Sequence, residues 1–325
     1  MALRLIEMIL KDAEATKIFD ALKKYSLLEY RQIQLPNNEI FVRILLNAEQ
    51  SEPILDLLQK NNIGNEKNRL VIIPIEATLP RAPEPIVTTK QPERVSREEL
   101  HEDIKDAARC SKIYIVMLVL SIVVATVGLH SNSVVTIIGA MVIAPMLGPS
   151  VAIGLGVILA DFALVKRAIF TSLVGIFLTL ILSFGIGTLI HVNPQLHEVA
   201  LRTHVGMGNA VIALAAGCAG VFAFTAGVSA ILIGVMVAVS LLPPLATSGL
   251  LLGDGHILLA ADALSLFLLN FICVNLAAVA TFLLQGVRPR SWQEKNKAAK
   301  ASRVAIAVWI IMLAILAIII LLLKK

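Results

Sequence analysis

The sequence predicts a multi-pass helical membrane protein preceded by a small α+β domain. Three observations carry this: long charge-free blocks, an alternating strand and helix pattern in the first eighty residues, and an internal repeat. Of 325 residues, 57% are hydrophobic and only 16% are charged. Mean hydropathy is +0.83. Residues 113–160, 203–253, 263–287 and 304–323 contain no Asp, Glu, Lys or Arg. About 20 apolar residues cross roughly 30 Å of hydrocarbon, so these blocks predict several spans.

The N-terminal pattern predicts a soluble domain over residues 1–80. Residues 3–11 suit a strand, and 12–24 place Ala13, Ile18, Ala21 and Leu22 at helical spacing. Strands are expected at 27–35 and 39–46, joined by the turn signal Pro36-Asn37-Asn38. A helix follows at 51–60 with Ser51 as its N-cap and Pro53 in its first turn. Residues 70–75 make a last strand. The order βαββαβ is that of a ferredoxin-like domain. Assembly is its expected role and ligand sensing the alternative.

Residues 81–95 hold a Pro-rich linker with Pro83, Pro85 and Pro92, expected to be extended. Ser96-Arg97-Glu98-Glu99 is a capping-box pattern that opens an amphipathic connector helix over 96–112.

Spans are expected at 113–129, 134–160, 168–190, 207–224, 228–252, 258–285 and 304–323. Lys166 and Arg167 fall in one loop, and Arg288, Arg290, Lys295, Lys297, Lys300 and Arg303 in another. The positive-inside rule puts both loops and the N-terminal domain in the cytoplasm of a cell whose inner (plasma) membrane holds the chain. Seven spans then leave the C-terminus outside.

Residues 139–155 and 234–250, offset by 95, agree at 7 of 17 positions, including Gly139/Gly234, Met141/Met236, Pro149/Pro244 and Gly154/Gly249. The same offset maps spans 1–3 (113–190) onto spans 4–6 (207–285). Three spans per copy predict opposite insertion, a 3+3 inverted repeat plus one. Pro145, Pro149, Pro243 and Pro244 lack an N–H and free carbonyls one turn earlier. In lipid such groups face protein or water, and broken spans at matching places mark transporter sites. A packing kink is the plainer alternative.

Ser150, Thr247 and Ser248 sit beside these prolines, and Asn270 and Asn275 lie within span 6. They complete the expected substrate pathway. Asp262 is a candidate coupling acid; Arg202 and Asn209 are candidates at the outer mouth. Asp262 has a plain reading as an interfacial acid and Arg202 as a charge among headgroups, and Asn270 equally as a residue that joins helices. Cys110, Cys218 and Cys273 form no CxxC pair, and the histidines are scattered, so no metal is expected. No cofactor or catalytic constellation is expected either. The N-terminus shows no long apolar core of a cleaved leader. The net charge of +5 reads as topology and lipid contact, not nucleic-acid binding. Expected partners are the lipid bilayer, a small-molecule or ion substrate and further copies of the chain, as a homo-oligomer.

The stretches NSVVTIIGAMVIAPMLGPS (132–150), LRTHVGMGNAVIALAAGCAGVFA (201–223), VSLLPPLATSGLLL (239–252) and LSLFLLNF (264–271) resemble the bacterial and archaeal membrane family catalogued as domain of unknown function 389. His-Val-Gly at 204–206 departs from that pattern. The resemblance implies an integral membrane protein with a soluble N-terminal domain and supplies no substrate. The residues themselves point first to a transporter with its site between broken spans 2 and 5. A channel gated by the N-terminal domain, and a non-transporting scaffold or sensor, are the alternatives.

Overall fold

The computed structural model describes residues 3–25, 27–64, 68–75, 78–80, 95–226, 230–289 and 292–323. The chain divides into two compact units, residues 1–100 and 101–325. The expected linker lies almost wholly outside the described residues.

The first unit runs β1 (Leu3–Lys11), α1 (Asp12–Leu22), β2 (Glu29–Leu35), β3 (Glu39–Asn47), α2 (Ala48–Lys60) and β4 (Leu70–Ile75). Its sheet has the order β2-β3-β1-β4, with every neighbouring pair antiparallel. Period-two alternation decides the faces. Ile6, Met8 and Leu10 of β1 share one buried face with Ile40, Val42, Ile44 and Leu46 of β3. They pack against Ile18 and Leu22 of α1 and Ile54, Leu55 and Leu58 of α2. The other face leaves Ile9, Ile33 and Val71 exposed. Between β2 and β3 the turn closes with Asn38 at φ 58°, a left-handed conformation that Asn tolerates.

One local expectation fails here. Helix α2 starts at Ala48 with Asn47 as its N-cap, so Ser51 is a buried residue inside the helix and Pro53 lies past the first turn. Strand β3 runs directly into the helix, and that continuity outweighs the serine and proline cues.

Helix α3 (Arg97–Ala107) crosses the division between units. It begins as the capping pattern predicts: Ser96 Oγ accepts from the Glu99 N–H at 3.3 Å.

The second unit is helical: α4 (Lys112–His130), α5 (Val134–Ile143), α6 (Leu147–Leu159), α7 (Phe162–Gly187), the short α8 (His197–Ala200), α9 (Met207–Thr225), α10 (Ala230–Gly253), α11 (Ile257–Leu284) and α12 (Trp292–Leu323). Among the described residues, five helices are long and apolar enough to cross a membrane: α4, α7, α9, α11 and α12. The pair α5–α6, bent by 47°, qualifies as a sixth when counted together. In α10 only the side chains from Leu241 onward are described.

Boundaries shift where polar groups make caps. Asp161 accepts from the Ala163 and Leu164 N–H groups. It therefore starts α7 six residues before the expected 168 and takes Lys166 and Arg167 out of the loop and into the helix. Likewise the basic stretch before the last span is helical from Trp292. Exposed Phe170, Phe177 and Ile181 line α7, an outward apolar surface of the kind lipid solvates.

Candidate functional site

The prolines act differently in the two copies. Residues 144–146 leave the helix, and Pro145 sits in that break between α5 and α6. Pro149 falls in the first turn of α6, where a missing N–H costs little. Pro243 and Pro244, by contrast, lie inside α10, which stays helical from Ala230 to Gly253. The expectation of two broken spans is thus corrected to one. Two adjacent prolines remove two donors, yet the flanking ladder holds the helix together.

The segment around the break is enclosed by protein. Every residue from Leu147 to Gly156 is buried. Small residues make this possible. A Cβ on Gly154 would meet the Ala278 methyl of α11 at 2.7 Å. A Cβ on Gly148 would meet the Ala107 carbonyl oxygen at 2.5 Å. Beside it, Thr171 of α7 donates to the Ala108 carbonyl at 2.8 Å, and the Tyr114 hydroxyl donates to the Thr171 carbonyl at 3.4 Å.

Polar atoms in this interior fall into two groups. Some are satisfied locally: Ser121 Oγ donates to the Ala140 carbonyl at 2.6 Å, Ser248 Oγ to the Ala260 carbonyl at 2.8 Å, and Gln285 Nε2 to Thr225 Oγ1 at 2.7 Å. Others are not. Among the described residues, Ser150 Oγ, Thr247 Oγ1 and Asn275 Oδ1 are buried without a hydrogen-bond partner, as are Ser172 Oγ and Ser183 Oγ of α7. Asn275 is held by one end only, its Nδ2 donating to the Phe271 carbonyl at 2.8 Å. An unpaired polar atom in an apolar interior costs roughly 1–3 kcal/mol, and such groups call for a functional account.

Three of the sequence-predicted pathway residues therefore carry open hydrogen-bonding capacity. Ser150 and Asn275 lie one turn before Gly154 and Ala278, on the faces through which α6 and α11 touch. Asn270 is buried in α11 as well. Ser172 and Ser183 had escaped the sequence reading. Serine in an apolar helix usually bonds back to its own carbonyls, and only the packing shows that these do not.

The mouth residues behave otherwise. Arg202 pairs with the buried Glu198 carboxylate at 2.8 Å and also donates to the Glu198 carbonyl. Burial pulls the guanidinium below its ordinary value, and Glu198 opposes that pull. Arg202 is thus a structural ion pair and not a free attractor of anions. The Glu198 N–H donates to Asn132 Oδ1 at 3.0 Å, tying two loops together. Asn209 Nδ2 only reaches the His204 carbonyl at 3.5 Å. Asp262 is half-buried in the second turn of α11.

On the same loops Asp254 accepts from the Val192 N–H at 3.0 Å and lies 3.2 Å from His191 Nδ1 and 3.3 Å from His256 Nε2. The Val192 N–H holds this carboxyl below its ordinary range, with the two imidazoles adding to the effect. Among the described residues no three His, Cys, Asp or Glu side chains form a metal-holding group.

The family model described as Domain of unknown function (DUF389) matches residues 141–276, from Met141 near the end of α5 to Leu276 within α11. An uncharacterized protein of Methanocaldococcus jannaschii is 37% identical over 272 residues, covering 83% of each chain. No solved structure matches. With a relative this similar over most of both lengths, the chain belongs to the DUF389 family.

Proposed function

We propose that this protein is an integral membrane transporter of a small ion or polar solute, with its pathway at the α5–α6 break and the facing surfaces of α10 and α11. One observation carries the reading: among the described residues, Ser150, Thr247 and Asn275 present buried polar atoms without protein partners in helices that are otherwise apolar. A scaffold gains nothing from such groups, whereas a solute that sheds water needs them. The bend of 47° at the break adds a discontinuous helix.

In this reading residues 113–190 and 207–285 are two three-span copies inserted in opposite senses, and α12 is a seventh span. The unit of β1–β4 is a ferredoxin-like domain on the cytoplasmic side; its strand order and helix placement support that name. It serves assembly of a homo-oligomer or regulation, and the protein is not an enzyme.

Reconstituted vesicles test the proposal. Protein-dependent uptake across a panel of inorganic ions and small metabolites, reduced by Ser150→Ala and Asn275→Ala at equal folded protein, is the expected result. Vesicles with no protein-dependent flux for any solute on the panel would count against transport.

A further inference from the structure

From the start of α6 we infer a binding site for a small inorganic monoanion. The inference rests on the transport reading above and names the class of solute for its pathway. A helix leaves its first N–H groups without internal acceptors and carries about half a positive charge at that end. Here no side chain caps the helix. The N–H groups of Leu147 and Gly148 find no acceptor among the described residues, and Pro149 has no N–H to offer. Both donors belong to buried residues, so water does not serve them as it serves a surface helix.

A second feature points the same way. Ser150, in the first turn, is 1% exposed and its hydroxyl has no partner among the described residues. Side chains on a helix lean toward its N-terminus, which aims this hydroxyl at the same end as the two free N–H groups. The Ala107 carbonyl closes the Gly148 side. Three neutral donors and one helix pole suit a single negative charge. No lysine or arginine lies within α5 or α6, so a doubly charged phosphate or sulfate would lack a countercharge.

The test uses the full-length protein in detergent. Its unfolding midpoint is followed against sodium chloride, choline chloride, sodium nitrate and sodium gluconate at fixed ionic strength. Chloride and nitrate should raise the midpoint saturably with either cation, and bulky gluconate should not. Ser150→Ala should raise the half-saturating concentration about tenfold, the usual effect of losing one hydrogen bond to a charge. Ser150→Thr, which keeps the hydroxyl, should hold it near wild type. If Ser150→Ala does not fold, Ser150→Thr against Ser150→Val makes the same comparison between side chains of equal shape. A midpoint that follows sodium, that ignores the anion, or that responds to anion equally with and without the hydroxyl overturns the site. Saturable anion binding with no flux in vesicles would keep the site and end the transport reading. Flux of a cation or neutral solute with no anion binding would do the reverse.

Discussion

Gly187 of α7 lies backbone to backbone against Leu250 of α10, so close that a methyl group on Gly187 would be driven into the Leu250 carbonyl. Nearby, a Cβ on Gly249 would meet that of Ser183 at 2.6 Å. Small residues at these points let the two helices approach as membrane helices do when packing, not hydrophobicity, joins them. Gly187→Ala is expected to destabilise the protein by about 1–3 kcal/mol through overpacking. Gly139→Ala, where a Cβ meets nothing within 4 Å, is expected to stay within about 0.5 kcal/mol of wild type. Unfolding midpoints in detergent compare the pair, and equal losses would refute the close approach.

Asp161 gives a pH-dependent expectation. It caps α7 and lies 3.0 Å from His101 Nε2. Burial raises its pKa, but the His101 hydrogen bond and the Leu164 and Ala163 N–H groups outweigh it, leaving the carboxyl below its ordinary 3.8. A carboxyl depressed in the folded state binds fewer protons there than in the unfolded chain. Its contribution is complete above the unfolded value and disappears as pH falls through the folded one. Asp161→Asn retains a capping oxygen and loses the titration. The stability advantage of wild type over the variant should shrink as pH falls from about 5 to about 3, through the range where Asp161 takes up its proton. A difference that grows on acidification would reverse the sign.

Orientation is tested by labelling. Cysteines placed at Lys166 and Lys297 should react from the cytoplasmic side, and one at His197 from the outside. All three side chains are exposed. A residue at 297 that labels only from outside would remove both the orientation and the seventh span.

Residues 1–100 expressed alone are expected to be soluble, with mixed helix and strand by circular dichroism. The buried set of Ile6, Val42, Ile44, Ile54 and Leu58 is complete within that unit. An unfolded fragment at micromolar concentration, with no assembly by light scattering, would show that the unit needs the rest of the chain.

The N-terminal unit was legible because period-two alternation at Ile40, Val42, Ile44 and Leu46 states which face is buried before any partner is known. Helix starts were less so. Spans expected at 134–160 and 168–190 put Asp161, Lys166 and Arg167 together in a loop, and only the cap geometry shows that the helix begins before the two basic residues. At the candidate site the sequence marked Ser150, Thr247 and Asn275 by position beside prolines or deep in a span. It had no means to separate Ser183, which has no partner among the described residues, from Ser248, which bonds across to Ala260. That distinction depends on which helix stands opposite. Nor does a proline announce whether it breaks a helix: Pro145 does, and Pro243 with Pro244 does not.

Helix α12 touches α11 along Trp309, Leu313, Leu316 and Ile320, a spacing of three and four residues. Only 6% of its 18-residue apolar window is buried inside the chain. Most of its length is therefore specified by class and not by identity: any apolar side chain that solvates in acyl chains will serve. Helix α6 is the opposite case, with nearly every position fixed by a neighbour. A library of random apolar substitutions should pass freely through Ile311, Ile315 and Ile318, and should stop at Gly148, Gly154 and Ser150. The chain thus constrains the short stretch beside the break closely and the longest helix among the described residues very little.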